Sequence, residues 1–158
     1  MTWFSVGLPI ALQLIVPGAL LTWLQEKKED VFVVGSANDL SKLPPEFLRK
    51  GRFDEIFFVD LPDADERKGI LSIHLKLRKQ DPAQFDLARL AAVTEGFSGA
   101  EIEQVVIAAL YRALHAKGRL SNEGILEAVR STVPLSVTRR EDITHLRAMA
   151  EGRFTPVR

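Results

Sequence analysis

From Asp63 to its end, the chain repeats one pattern: a residue able to cap a helix, an amphipathic window, then a stop. Asp63 opens ADERKGILSIHLKLRK, and Glu66 three residues later completes the pattern of a capping box. Asp86 opens DLARLAAVTEG, which Gly96 ends, and Ser98 opens GAEIEQVVIAALYRALHAKG, which Gly118 ends. Ser121 opens NEGILEAVRSTV, and a last amphipathic helix begins at Thr138 or Arg139 in TRREDITHLRAMAEG. This pattern predicts a bundle of about four helices. In the first of them, Ile70, Ile73 and Leu77 share a face with His74 at helical spacing. In the third, Ile102, Val105, Val106, Ala109, Leu110 and Ala113 form a broad buried stripe.

Before Asp63 the pattern differs. VFVVGSAN, from Val31, is a β-branched run apolar on both faces, as in a strand of a covered parallel sheet. DLSKLPPEFLRKGRFD follows, where Pro44 and Pro45 suit the first turn of a short helix and Gly51 ends it. EIFFVDLP, Glu55 to Pro62, reads as a second strand. The expected architecture is therefore α/β, with two parallel strands followed by an all-α domain.

The 158 residues carry 21 Lys plus Arg against 21 Asp plus Glu, and this neutrality removes the electrostatic footprint of a nucleic-acid binder. The absence of Cys excludes a disulfide scaffold, thiolate zinc and cysteine catalysis. The first charged side chain is Glu26. Residues 1–25 could span a bilayer, but Pro9, Pro17, Gly7 and Gly18 interrupt them and no basic n-region precedes them. Lys27 and Lys28 after this segment weakly favour a cytoplasmic end. A third reading makes the segment the buried edge of a larger fold.

His74, His115 and His145 show no metal-ligand spacing with one another, and G-x-S-x-G, H-E-x-x-H and G-x-G-x-x-G are all absent. So is the phosphate-cradling G-x-x-x-x-G-K-[ST]. Asp60 in FFVDLP stands where a magnesium-binding acid could end a strand, but Leu61 follows it instead of a second acid. It reads as a strand-terminal residue leading into the Pro62 turn.

FVVGSANDLSKLPPEFLRKGRFDEIFFVDLPDADERKGIL closely resembles the second region of homology of the AAA family of ATPases. The likeness continues through IHLKLRK and GFSGAEIEQVV and covers about Thr22 to Phe154. TWLQEKK, LPPEFLRKGRFDEIFFVDLP, FSGAEIEQ and TVPLSVT look most like an uncharacterised AAA ATPase family of cyanobacteria, plastids and other bacteria.

The resemblance implies roles for single residues. Asn38 matches the polar sensor that hydrogen-bonds the γ-phosphate or attacking water, beyond the C-terminal end of a parallel strand. The alternative is an Asn-Asp turn residue. Arg49 and Arg52 in LRKGRFD match paired arginine fingers that reach into a neighbouring subunit's ATP site. Ile70 and His74 match positions packing on adenine and approaching the ribose, although a packed helix histidine is the plainer reading of His74. Gly99 and Ala100 match the small pair that lets a helix N-terminus approach the base. Ala100 stands where other AAA+ branches place a sensor arginine, which groups the chain with the classical branch.

The expected organisation is an apolar segment of uncertain nature over 1–21, the C-terminal part of an AAA+ nucleotide-binding core over 22–62, and the helical lid over 63–158. The family's P-loop and acidic magnesium strand lie upstream of the equivalent of Thr22, where this chain has a charge-free sequence. A truncated or frameshifted gene product is the simplest expectation. The implied cofactors are ATP and magnesium, the latter without its protein ligands in this chain. The expected partners are a homo-oligomeric AAA ring and an unknown protein substrate, with no nucleic acid. The expected location is cytoplasmic, or membrane-anchored through residues 3–24. The rival function is a non-enzymatic lid-like module that joins AAA rings.

Overall fold

The computed structural model describes residues 18–23, 26, 31–37, 44–49 and 51–157, in two compact units, 1–57 and 58–158. Asn38 lies outside the described residues, as do residues 1–17 of the apolar opening. Residues 18–23 are helical. Among the described residues, no helix is long and apolar enough to cross a membrane.

In the first unit, Pro44 and Pro45 open a 3₁₀ turn, Pro45–Leu48, whose Phe47 is buried. The Phe47 and Phe53 rings stack with centroids 6.4 Å apart, fixing both ends of the short loop between them. Gly51 turns that loop at φ +89°, a left-handed conformation that favours glycine. Residues 31–37 belong to no strand, and Phe32 and Val34 are 94% and 79% exposed. The strand expected at Val31 is thus not formed. A run apolar on both faces forms a strand only where a sheet and its covering layers enclose both of those faces.

The second unit is built as the caps anticipate. Helix α1 (Ala64–Leu77) begins at Asp63, whose carboxylate accepts the Asp65 and Glu66 N–H groups while Glu66 accepts the Asp63 N–H. Asp86 caps α2 (Leu87–Val93), Ser98 caps α3 (Gly99–His115) and Ser121 caps α4 (Asn122–Arg130). A single turn, α5 (Leu135–Thr138), leads into α6 (Arg140–Ala150). Strand β1 (Phe57–Phe58) occupies part of the expected second strand, and its partner is β2 (Thr155–Pro156), with the Val157 N–H donating to Phe58 O at 3.1 Å. The architecture is an α/β segment followed by a helical domain.

Leu71, Leu75, Leu90, Ile102, Val105, Val106 and Ile125 form the closed centre of this unit. Four of the six residues expected in the α3 stripe are buried, while Leu110 and Ala113 are half-buried. In α1, the inward face is Arg67, Leu71 and Leu75, whereas Ile73 and Leu77 are 56% and 68% exposed. Apolar residues lie on both sides of this helix, so spacing alone does not choose the buried one. Arg67 is 7% exposed; its Nε donates to Ala91 O at 2.9 Å and its Nη1 to Pro62 O at 2.7 Å. It thereby ties the entry of α1 to α2 with charge-assisted bonds. Gly96, at φ +78°, ends the α2 region, and a Cβ there would collide with Ser136 Oγ.

Candidate functional site

Four of the expected site residues lie on α1 and α3, two helices in contact. Gly99 is the first residue of α3 and is held by the Ser98 cap, where Glu101 Oε2 accepts the Ser98 N–H at 2.7 Å and its hydroxyl at 2.8 Å. The other oxygen of Glu101 accepts the Leu135 N–H at 2.7 Å, so one carboxylate serves the starts of α3 and α5. Ile70 Cδ1 lies 3.6 Å from where a Cβ on Gly99 would sit. Isoleucine from one helix thus reaches the small-residue end of the other, with Ala100 exposed beside it.

One turn beyond Ile70 stands His74, and one turn beyond His74 stands Arg78. One turn into α3 from Gly99 stands Glu103. Arg78 Nη2 donates to Glu103 Oε1 at 2.8 Å, and Nη1 donates to His74 O at 3.1 Å and to His74 Nδ1 at 3.3 Å. Glu103 Oε1 is 3.5 Å from His74 Nδ1. The Arg78 hydrogen bond holds the Glu103 carboxyl below its ordinary range, partly opposed by burial and helped by the charges of His74 and Arg78. Arg78 and Glu103 were missed in the sequence. Their signal is the helical step of four, from His74 to Arg78 and from Gly99 to Glu103.

Two further candidates, Arg49 and Arg52, belong to the first unit. Arg49 is exposed after the 3₁₀ turn, and its N–H donates to Glu46 O at 3.3 Å. Arg52 is half-buried, and its Nη1 is enclosed without a hydrogen-bond partner among the described residues. Asp60 accepts Arg147 Nε through both oxygens, at 2.8 and 3.1 Å, in keeping with a structural role at the strand end. No described cluster of three or more His, Asp or Glu could hold a metal ion. With the G-K-[ST] hydroxyl also missing from the sequence, the described residues do not fit magnesium.

The family model for "ATPase family associated with various cellular activities (AAA)" matches residues 16–61, and that for the "AAA+ lid domain" matches residues 84–143. The chain is similar to an "Uncharacterized AAA domain-containing protein ycf46" of Pyropia yezoensis, 46% identical over 138 residues, covering 86% of this chain and 28% of the relative. The protein of the same name in Gracilaria tenuistipitata var. liui is 48% identical over 124 residues, 78% of this chain and 25% of the relative. A "Proteasome-activating nucleotidase" of Aeropyrum pernix is 39% identical over 102 residues, 64% of this chain and 25% of the relative. The chain spans about a quarter of the length of these curated relatives. The two matched segments follow one another as an α/β piece and a capped helical domain, and on that ground the chain belongs to the AAA family of ATPases.

Proposed function

We propose that this chain supplies the C-terminal part of an AAA ATPase: the sensor, the fingers and the lid, but not the phosphate grip. The carrying observation is the approach of Ile70 to Gly99 with His74 one turn away. Ile70 packs on the adenine face, the Cβ-free Gly99 and small Ala100 admit the base edge, and His74 meets the ribose. Asn38 hydrogen-bonds the γ-phosphate or the attacking water. Arg49 and Arg52 act across a ring interface, where a guanidinium offsets charge developing on the transferred phosphoryl group.

The ring would be homo-oligomeric and cytoplasmic, its domains meeting near residue 62, and hydrolysis would remodel an unknown protein. Alone, without the lysine and hydroxyl of a P-loop, the chain should hydrolyse no ATP above background, which is also what a non-enzymatic lid module would do. A graft separates the two readings. Residues 22–158 joined to the upstream half of a related AAA ATPase should hydrolyse ATP, and Arg52→Ala should lower turnover at least ~10²-fold with little change in nucleotide affinity. A graft that binds ATP but whose turnover ignores Arg52→Ala would favour the module.

A further inference from the structure

The two ring nitrogens of His74 stand in different surroundings. Nδ1 lies 3.3 Å from Arg78 Nη1 and 3.5 Å from Glu103 Oε1. Nε2 has no hydrogen-bond partner among the described residues and is not enclosed. A guanidinium only donates and an ionised carboxylate only accepts, so the two neighbours make opposite demands on Nδ1. Arg78 needs that nitrogen bare, whereas Glu103 needs it protonated. The geometry sides with Arg78, because its contact is the shorter one and meets hydrogen-bond criteria. The 3.5 Å approach of Glu103 is no more than an ion-pair distance. Glu103 Oε1 is, moreover, already engaged by Arg78 Nη2 at 2.8 Å.

We propose that Arg78, anchored by Glu103, is a positioning residue that keeps neutral His74 in the tautomer with its proton on Nε2. The ring then presents an N–H donor outward. Resting on the nucleotide reading of the site, the ligand group is the sugar of a nucleotide, whose hydroxyl and ring-ether oxygens accept such a bond. The other tautomer would turn a lone pair toward that ether oxygen and repel it. Arg78 and Glu103 need no contact with the nucleotide to have this effect.

The test reads the tautomer directly, by long-range proton–nitrogen correlation on the ¹⁵N-labelled full chain without nucleotide. It is run at about pH 8.5, above the ordinary imidazole midpoint of about 6.5. The His74 signal is identified by its loss in His74→Asn, and exposed His115 and His145 serve as internal controls. Wild type should show the Nε2–H form. In Arg78→Met, Glu103 becomes the sole neighbour of Nδ1 and should draw the proton there, inverting the tautomer. Adding Glu103→Ala to that variant should remove the inversion. An Nδ1–H signal in wild type, or an unchanged tautomer in Arg78→Met, overturns the proposal. A wild-type chain that shows the Nε2–H form, while the His74 signal of residues 22–158 joined to the upstream half of a related AAA ATPase ignores excess ATP, supports the tautomer assignment and counts against the nucleotide reading instead.

Discussion

Two arginines show how differently the two units are made. Arg67, in the helical unit, is almost fully buried, yet both of its engaged nitrogens find backbone carbonyls, at Pro62 and Ala91. Arg52, in the first unit, has an enclosed Nη1 that finds no partner among the described residues. The apolar residues divide in the same way: Leu71 and Ile102 are sealed in the helical core, while Phe32 and Val34 face solvent. The helical unit satisfies its needs from within. Its caps act over three residues and its core side chains meet helices nearby in the sequence. In the first unit, by contrast, the described run 31–37 is largely exposed and belongs to no strand.

The largest test of this contrast is a pair of truncations. Leu71→Ala should lower the unfolding free energy by about 2–5 kcal/mol, as cavities in closed cores do. Phe32→Ala, on an exposed ring, should change it by less than about 0.5 kcal/mol. Urea denaturation followed by circular dichroism measures both, and equal effects would break the comparison.

A middle-sized effect sharpens it. Arg67→Met should cost about 1.5–3 kcal/mol, since it removes two charge-assisted hydrogen bonds. Arg52→Met has no such bond to lose at Nη1 and should be close to neutral in the same denaturation assay.

The smallest effect is a pH dependence. The Glu103 carboxyl is held below its free value, so its stabilisation is present above the ordinary Glu midpoint of about 4.3. It is lost as the pH falls through the lowered folded-state value. The stability difference between wild type and Glu103→Gln should therefore shrink as the pH falls below about 4.3. A difference that grows toward low pH would reverse the sign argued here.

Much of the helical unit was legible in the residues because its signals are local. Asp63 with Glu66, and Asp86, Ser98 and Ser121, announce helix starts locally, and all four cap as expected. The inward face of α1 was not legible, since Ile73 and Leu77 compete with Leu71 and Leu75 at equal hydrophobicity. Nor was β2, whose existence depends on Phe58 far back in the chain. At the candidate site, the resemblance named Ile70, His74, Gly99 and Ala100, and Ile70 and Gly99 do meet. Arg78 and Glu103 escaped notice because each looks like an ordinary surface charge until the crossing of α1 and α3 brings them to the same nitrogen.

Glu101 carries a consequence of another kind. One oxygen receives both the N–H and the hydroxyl of Ser98, and the other receives the N–H of Leu135. A single side chain thereby makes two distant stretches of backbone share one fate. A fluctuation that releases either must loosen the acceptor of the other, so the amide protons of Ser98 and Leu135 should trade with solvent at linked rates. The mouth of the candidate site and the turn before α6 would then breathe together, as one opening unit rather than two.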